Sequence, residues 1–331
     1  MAIVKSQTTD LQLVIETPQI TTTSLVTDQT DTIVARIKGS ITSILTNFHA
    51  GYFRLVKEEF LHHVGVNFLF VPSISGFLLL QSAPFFTPNN PFYVFLWFVF
   101  AVPVVVLDVK IYGQWFTKGK KFLSAVANPT SHLSVIGNLV GAQAAANMGW
   151  KESAICLFSI GMVHYLVLFV TLYQRLSGSD RLPKMLRPAF FLFFGAPSMA
   201  SLAWQSISGV YDTASKMLFF LSLFLFMSLV CRPTLFKRCM KRFNVAWWGF
   251  SFPLSALALA STEYAEEVKG GGFPHFLMLF LLAFSVLVSI SLLIFTLLNT
   301  LLPYNPISSL LSYLPRLSHQ SNSTITPQVF V

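Results

Sequence analysis

Charged residues are scarce in this sequence. They make up 11% of its 331 residues, whereas an ordinary soluble domain has roughly 25%. Hydrophobic residues account for 54% of the chain, 34 residues are phenylalanine, and the mean hydropathy is +0.64. This composition excludes an ordinary water-soluble domain and predicts an all-α integral membrane protein.

Motifs for catalysis and for ligand binding are also lacking. The chain has no nucleophile paired with a base, no glycine-rich phosphate loop and no zinc-ligand spacing. Its cysteines, Cys156, Cys231 and Cys239, suggest no disulfide framework, and we expect them to be small buried or unreactive thiols. We therefore expect no enzyme, no catalytic residue, no cofactor and no metal site.

Apolar runs long enough to cross a bilayer dominate the rest of the chain. A run of about 18 or more apolar residues with few charges is a candidate spanning helix. Eight such helices are predicted, near residues 60–85, 92–116, 131–148, 153–174, 187–206, 217–231, 243–261 and 274–299.

Basic residues are unevenly divided between the connections of these helices. Of the 22, only Lys151, Lys216 and Lys269 lie in the connections on one side of the predicted membrane. Since basic residues mark the cytosolic side, both termini are predicted to be cytosolic. The net charge of +9 reflects this asymmetry, and it favours attraction to anionic lipid headgroups. We therefore expect membrane lipid, and no nucleic acid, as a partner.

Three predicted helices share an aromatic run, a proline and a following serine. Pro72 stands in FLFVPSIS, Pro197 in FFGAPSMAS and Pro253 in GFSFPLSA. If helix directions alternate, all three run outward from the cytosol. A proline removes a helical donor and kinks the helix, and in lipid the freed carbonyl needs a new partner. A ring of such kinked helices would surround a narrow aqueous path.

The lining of this path is predicted to consist of hydroxyls, bent backbone and aromatic rings. The polar candidates are Ser73, Ser198, Ser255 and Asn138, the last in a like-directed helix without a central proline. The predicted spans contain no acidic ring and almost no basic group, which suits small, easily dehydrated anions. The alternative is that proline and small residues simply let the helices pack closely.

Aromatic and ionisable side chains supply further candidates. Phe252, beside Pro253, is predicted to plug the pore, and Phe70 or Phe68 to form a second ring; the alternative for each is a packing role. His164 is an ionisable group at membrane depth, which is either functional or a hydrogen-bonded packing residue.

Five segments of the chain carry a resemblance to known proteins: EEFLHHVGVNFLFVPSIS, LDVKIYGQWF, GMVHYLVLFVTLYQR, FFLFFGAPSMASLAW and FKRCMKRFNVAWWGFSFPLSALAL. They are similar to the plant slow-type anion channels of the tellurite-resistance/dicarboxylate transporter family. The resemblance implies ten helices in five hairpins, with one helix of each hairpin in an inner ring around a pore, commonly as a trimer. It also implies that Phe252, in the matching SFP context, is the gate.

The N-terminal part of the chain departs from this family pattern. The stretch NFHAGYFR resembles the start of the first family helix, but residues 55–58 then match the approach to the third. Most of the first hairpin is therefore missing. We expect a cytosolic tail with this remnant at 1–54, a channel domain at 55–300 and a cytosolic tail at 301–331, and a Thr-rich N-terminal tail could be the substrate of a regulatory kinase.

Three functions are compatible with the sequence. The first is an anion channel subunit of the plasma membrane that passes chloride or nitrate. The second is a non-conducting modulatory subunit of full-length channels, which the missing hairpin favours. The third is a proton-coupled dicarboxylate (malate) transporter, against which the lack of a buried charge relay counts.

Overall fold

The chain divides into two compact units, Met1–Glu58 and Glu59–Val331. In the first, Arg54 Nε lies 3.0 Å from Glu58 Oε1, one helical turn away. The predicted tails fall almost wholly outside the described residues. The computed structural model describes residues 54, 56–62, 65–84, 87–88, 90–118, 127–176, 184–233, 245–268 and 271–301.

Helices form the second unit, and its described residues contain no β-strand. The predicted all-α class is confirmed. Segments of 3-10 helix precede α4, α6 and α8, at Pro129–Ser131, Lys184–Phe191 and Val245–Phe250. The α-helices are α1 (Gly65–Phe68), α2 (Phe70–Ser82), α3 (Pro91–Lys118), α4 (His132–Asn147), α5 (Lys151–Leu176), α6 (Leu192–Ser208), α7 (Thr213–Val230), α8 (Ser251–Glu267) and α9 (Gly272–Leu301).

Consecutive helices pack in four pairs: α2 with α3, α4 with α5, α6 with α7, and α8 with α9. The first members also pack against one another in chain order, α2 on α4, α4 on α6 and α6 on α8. We call α2, α4, α6 and α8 the inner helices and their partners the outer helices. Burial agrees with this division. In the span Arg187–Ser208, which contains the inner helix α6, 83% of the most apolar 18-residue stretch is buried, whereas in Gly272–Thr300 of the outer helix α9 only 17% is buried.

The outer helices carry large apolar side chains on their exposed faces. Val109 of α3, Tyr173 of α5, Phe224 of α7 and Leu287 of α9 are 68%, 69%, 67% and 62% exposed. A surface this apolar is unfavourable in water and is matched by lipid. The chain is a multi-pass membrane protein.

Six helices within the described residues are long and apolar enough to cross a membrane, whereas the sequence predicts eight. The two that are not among these six are α4 and α8. Polar residues such as Asn138 and Gln143 make α4 less apolar than a typical spanning helix, and α8 ends in the polar stretch STEYAEE. The run at 243–261 becomes a 3-10 segment followed by α8, which extends to Glu267.

Proline stands at the start of two inner helices. Pro72 and Pro253 are each the third residue of their α-helix, α2 and α8. The first N–H groups of an α-helix have no acceptor within the helix, so a proline costs little there. The position at Pro253 is therefore a helix start rather than the mid-helix kink that the sequence predicts.

Pro197 lies in the second turn of α6, where its missing donor does matter. The carbonyl four residues earlier, Phe193 O, accepts a hydrogen bond from the Tyr165 hydroxyl of α5 at 3.4 Å. The next carbonyl, Phe194 O, accepts one from the Ser222 hydroxyl of α7 at 2.6 Å. Neighbouring outer helices thus satisfy the backbone that the proline opens, as the low-dielectric environment requires.

Glycine lets two inner helices approach each other closely. A Cβ atom at Gly195 of α6 would lie 3.0 Å from Pro253 Cβ of α8. By contrast, a Cβ atom at Gly113, on the exposed face of α3, would have nothing within 4 Å. The packing of α6 on α8 therefore depends on the absence of a side chain at residue 195.

We expect Gly195→Val to lower the melting temperature of the purified protein, because overpacking a tight helix interface costs about 1–3 kcal/mol. The matched variant Gly113→Val places the same side chain in open space and should melt close to the wild type. Equal melting temperatures for the two variants would show that α6 and α8 are not in close contact.

The start of α7 is capped by a side chain. Asp212 Oδ1 accepts the Ser215 backbone N–H at 3.0 Å, and Trp204 Nε1 donates to both carboxylate oxygens at 3.1 and 3.0 Å. The hydrogen bond from the Ser215 backbone, followed by that from Trp204, lowers the pKa of Asp212 below its ordinary value. A carboxyl whose pKa is lower in the folded state stabilises the fold above its unfolded-state pKa, and this contribution is lost as the pH falls.

We expect Asp212→Ala to lower the melting temperature at neutral pH, because α7 loses its N-cap. The difference from the wild type should shrink as the pH is lowered through about 4 toward 3, where the wild-type carboxyl takes up its proton. Melting curves of both proteins across this range provide the measurement. A difference that stays constant with pH would mean that the charge of Asp212 contributes nothing.

Candidate functional site: a cavity between the inner helices

A cavity of about 410 Å³ lies between the starts of the inner helices. Its volume is at the lower end of the range of small-molecule sites, roughly 300 to 1,000 Å³. All four inner helices or their leading segments contribute to its wall. The lining residues are Phe68, Val71, Ile74, Ser75 and Leu78; Thr130, Leu133 and Ile136; Ala189 and Leu192; and Ala246, Trp248, Gly249 and Phe252.

Two of the three aromatic candidates line this cavity. Phe252 is half-buried and Phe68 is 47% exposed, and the two approach the cavity from α8 and from α1. Phe70 is fully buried instead, with its Cδ1 atom 3.2 Å from the place that a Cβ atom at Gly137 would take. Because residues two apart on a helix point about 200° apart, Phe68 and Phe70 face different surroundings.

The three prolines do not line the cavity, which differs from the expectation. Pro72 lies on an exposed face of α2, whereas Pro197 and Pro253 are buried. Pro253 follows Phe252 directly and contacts α6 through Gly195. Pro253 thus lies next to the cavity wall where α8 starts, and the side chain of the preceding residue, Phe252, faces the cavity.

The predicted polar lining lies between helices rather than along the cavity. Ser198 Oγ donates to Phe194 O at 3.0 Å and lies 2.5 Å from Ser222 Oγ. Ser255 is exposed, and its Oγ lies 3.1 Å from Ser285 Oγ of α9. Ser73 is buried and does not line the cavity either. In lipid, a hydroxyl near a proline tends to hydrogen-bond to a free backbone carbonyl or to a neighbouring helix. Such a hydroxyl is then less available to an ion in the cavity.

Asn138 is also withdrawn from the cavity. Its Nδ2 donates to Asp108 Oδ2 of α3 at 2.7 Å and to Ser134 O at 3.0 Å. Both side chains are buried, 0% and 4% exposed. A buried carboxyl is costly without a partner, so this pair ties α3 to α4 behind the cavity wall.

The polar groups that do line the cavity are Ser75 and Thr130. Ser75 shares one helical face with Phe68, Val71 and Leu78, because these residues are spaced three or four apart. The sequence pattern starting from Phe68 therefore could have predicted Ser75 as a lining residue. Thr130 lies in the 3-10 segment before α4, where helical spacing gives no signal. No lining residue among those described is ionisable.

His164 is enclosed in the protein interior. It is 1% exposed, its Nδ1 lies 3.2 Å from Ser134 Oγ, and its ring lies 4.9 Å from that of Trp115 and 5.3 Å from that of Tyr112. His132 is likewise buried, with its Nδ1 3.1 Å from Pro129 O. These contacts favour the packing interpretation of His164.

Helix packing among the described residues leaves one side of the inner ring open. Among the described residues, no packing comparable to that between the other inner helices joins α8 to α2. Val71 and Leu79 on α2 are 40% and 69% exposed, and Leu259 on α8 is 50% exposed. Since α2 and the start of α8 both line the cavity, the open side lies along the cavity itself.

The described cysteines and possible metal ligands do not form a further candidate site. Cys156 and Cys231 are free and exposed, so of the two expectations, buried or unreactive thiols, they do not meet the first, whereas Cys239 lies outside the described residues. Within the residues that the structure describes, no group of three His, Cys, Asp or Glu side chains could hold a metal ion.

Known proteins resemble this chain over most of its length. The family model SLAC1, described as voltage-dependent anion channel, matches residues 40–297. The S-type anion channel SLAH1 of Arabidopsis thaliana is 60% identical over 261 residues, which cover 77% of this chain and 67% of that protein. SLAH4 of the same plant is 60% identical over 248 residues, covering 75% and 68%. The guard cell S-type anion channel SLAC1 is 48% identical over 221 residues, covering 66% and 39%.

Proposed function

This chain belongs to the SLAC1 family of voltage-dependent anion channels, and we propose that it is an anion channel subunit whose conduction path is the cavity between the inner helices. The observation that carries this proposal is the convergence of all four inner helices, with Phe252 and Phe68, on one cavity. Channel relatives with high identity support the class of function.

The chemistry of the lining favours small inorganic anions such as chloride and nitrate. The described wall is apolar apart from Ser75 and Thr130, and the Thr130 hydroxyl already donates to Asn128 Oδ1, so the wall has little polar surface and no fixed charge. A lining of this kind holds anions weakly, which lets them leave, and a narrow apolar ring can stop conduction by excluding water. None of the described lining residues is ionisable, so the cavity gives a proton-coupled carboxylate transporter no support.

Phe252 is the proposed gate, and Phe68 the proposed second aromatic at the same level of the path. Phe252 follows the 3-10 segment Val245–Phe250, and Pro253 packs against α6. The backbone that carries Phe252 is thus held in place, while its half-buried side chain faces the cavity. Rotation of this side chain would open the path without moving the helix.

Basic segments adjoin the cavity in the sequence. TKGKK precedes α4, RLSGSDRLPKMLR leads into α6, and RPTLFKRCMKR precedes α8. Each therefore joins an outer helix to the start of an inner helix that lines the cavity, where positive charge would concentrate anions. On this basis we propose that the cavity opens toward the cytosol, that both termini are cytosolic and that the membrane is the plasma membrane.

The unclosed side between α8 and α2 supports a second candidate, a non-conducting modulatory subunit. Polar backbone and water in a path that is open to lipid are costly, so the chain alone would conduct poorly unless another element covers that side. We propose assembly as a trimer, of this chain alone or with full-length relatives, and a regulatory kinase as a further partner.

Two-electrode voltage clamp tests the channel proposal directly. We expect Phe252→Ala to raise the anion current roughly tenfold over the wild type, which corresponds to a barrier lower by about 1.4 kcal/mol. Phe68→Ala should raise it by less, because Phe68 is the more exposed of the two rings. Phe224→Ala removes a lipid-facing ring from α7 and should leave the current unchanged.

Surface delivery of each variant must be measured in the same cells. If surface-delivered wild type and Phe252→Ala are both silent in chloride and in nitrate, this chain alone is not a pore. Co-expression with a full-length relative then decides the second candidate: co-purification with a changed current supports a modulatory role, and an unchanged current without co-purification contradicts it.

A further inference from the structure

A second groove lies on the lipid side of the inner ring, away from the cavity. Its volume is about 320 Å³, and it is formed where the starts of α6 and α8 meet the ends of α7 and α9. We call it the outer groove. Phe191, Trp247, Leu254, Val288 and Phe295 are among its lining residues, and none of its lining residues is shared with the cavity.

The length of the outer groove corresponds to one leaflet of a bilayer. On α9 it extends from Phe284 to Phe295, which at 1.5 Å per residue is roughly 16 Å. The hydrocarbon core of a bilayer is about 30 Å thick, so the groove covers about half of it. Phe295 is 47% exposed, so the groove is open to the surrounding lipid.

The polar groups around the outer groove have partners within the protein. Ser291, its one hydroxyl residue among those described, donates from Oγ to Leu287 O at 2.8 Å. Trp248 Nε1, in the adjoining 3-10 segment, donates to Thr296 Oγ1 of α9 at 3.1 Å. The rest of the described wall is almost entirely hydrocarbon, which matches a hydrocarbon chain well.

Positive charge lies at one end of the outer groove. Pro233 lines it, and the preceding residue, Arg232, is exposed at the end of α7. This end also adjoins the basic segment in the sequence, on the side predicted to be cytosolic. The cytosolic leaflet is the one that carries anionic lipid, and a guanidinium group binds phosphate and carboxylate well.

We propose that the outer groove is a binding site for an anionic diacyl phospholipid, with one acyl chain along α9 and the headgroup beside Arg232. Because the groove lies against α8 on the face opposite the cavity, a bound lipid would fix the start of the helix that carries Phe252. The site itself is independent of conduction and can be tested on the purified protein.

Native mass spectrometry of the purified chain tests the proposal, with dioleoyl phosphatidylserine and dioleoyl phosphatidylcholine added in equal amounts. We expect the wild type to retain one phosphatidylserine more firmly than any phosphatidylcholine. Val288→Trp fills the groove and should lose that lipid. Leu287→Trp makes a matched change on the exposed face of the same helix and should retain it.

Arg232→Gln tests the headgroup separately and leaves the groove intact. It should reduce the ratio of bound phosphatidylserine to phosphatidylcholine at least threefold. Equal retention of the two lipids by the wild type, or equal loss in Val288→Trp and Leu287→Trp, would overturn the proposal. If Val288→Trp does not elute as a single species, Ser291→Phe replaces it as the groove-filling variant, and the Arg232→Gln result remains decisive for the headgroup.

Discussion

The need to satisfy every backbone polar group inside the membrane is the constraint on which this structure depends. Pro72 and Pro253 stand in the first turns of α2 and α8. Backbone N–H groups at these positions have no acceptor within the helix, so the N–H that proline lacks is not needed there. Pro197 stands deeper in α6, and hydroxyls of the outer helices bond the carbonyls beside it. The inner helices can therefore change from 3-10 to α geometry near the cavity without leaving backbone groups exposed to lipid.

The same constraint determines what remains to line the cavity. Hydroxyls near the prolines bond backbone or neighbouring helices, and Asn138 bonds Asp108, so little polar surface is left to face the path. The wall is consequently apolar, with aromatic rings at Phe68 and Phe252. A path of this character would pass ions that lose water easily and would hold none of them strongly. Under the proposed function, control of the current would fall to the position of aromatic side chains such as Phe252, which stands at the start of α8.

Hydropathy and charge in the sequence predict the membrane class and the helical hairpins, because both depend on composition averaged over some 20 residues. The individual lining residues are harder to predict. Phe68 and Phe70 stand two residues apart in one apolar run, and packing of Phe70 against α4 at Gly137 leaves Phe68 on the face toward the cavity. Ser198 follows Pro197 as a pore-lining hydroxyl would, but it is buried against its partner Ser222 on α7. Such partners lie far away in sequence, so no local pattern reveals them.

The central claim is that water and anions reach the cavity between the inner helices. It is tested most directly by thiol labelling in membranes, in a background with Cys156, Cys231 and Cys239 changed to serine. A negatively charged, membrane-impermeant thiosulfonate is applied from each side to Leu78→Cys, which lines the cavity, and to Val286→Cys, which faces lipid. The account predicts rapid modification at residue 78 and very slow modification at residue 286. Equally slow modification of both thiols from both sides would contradict it.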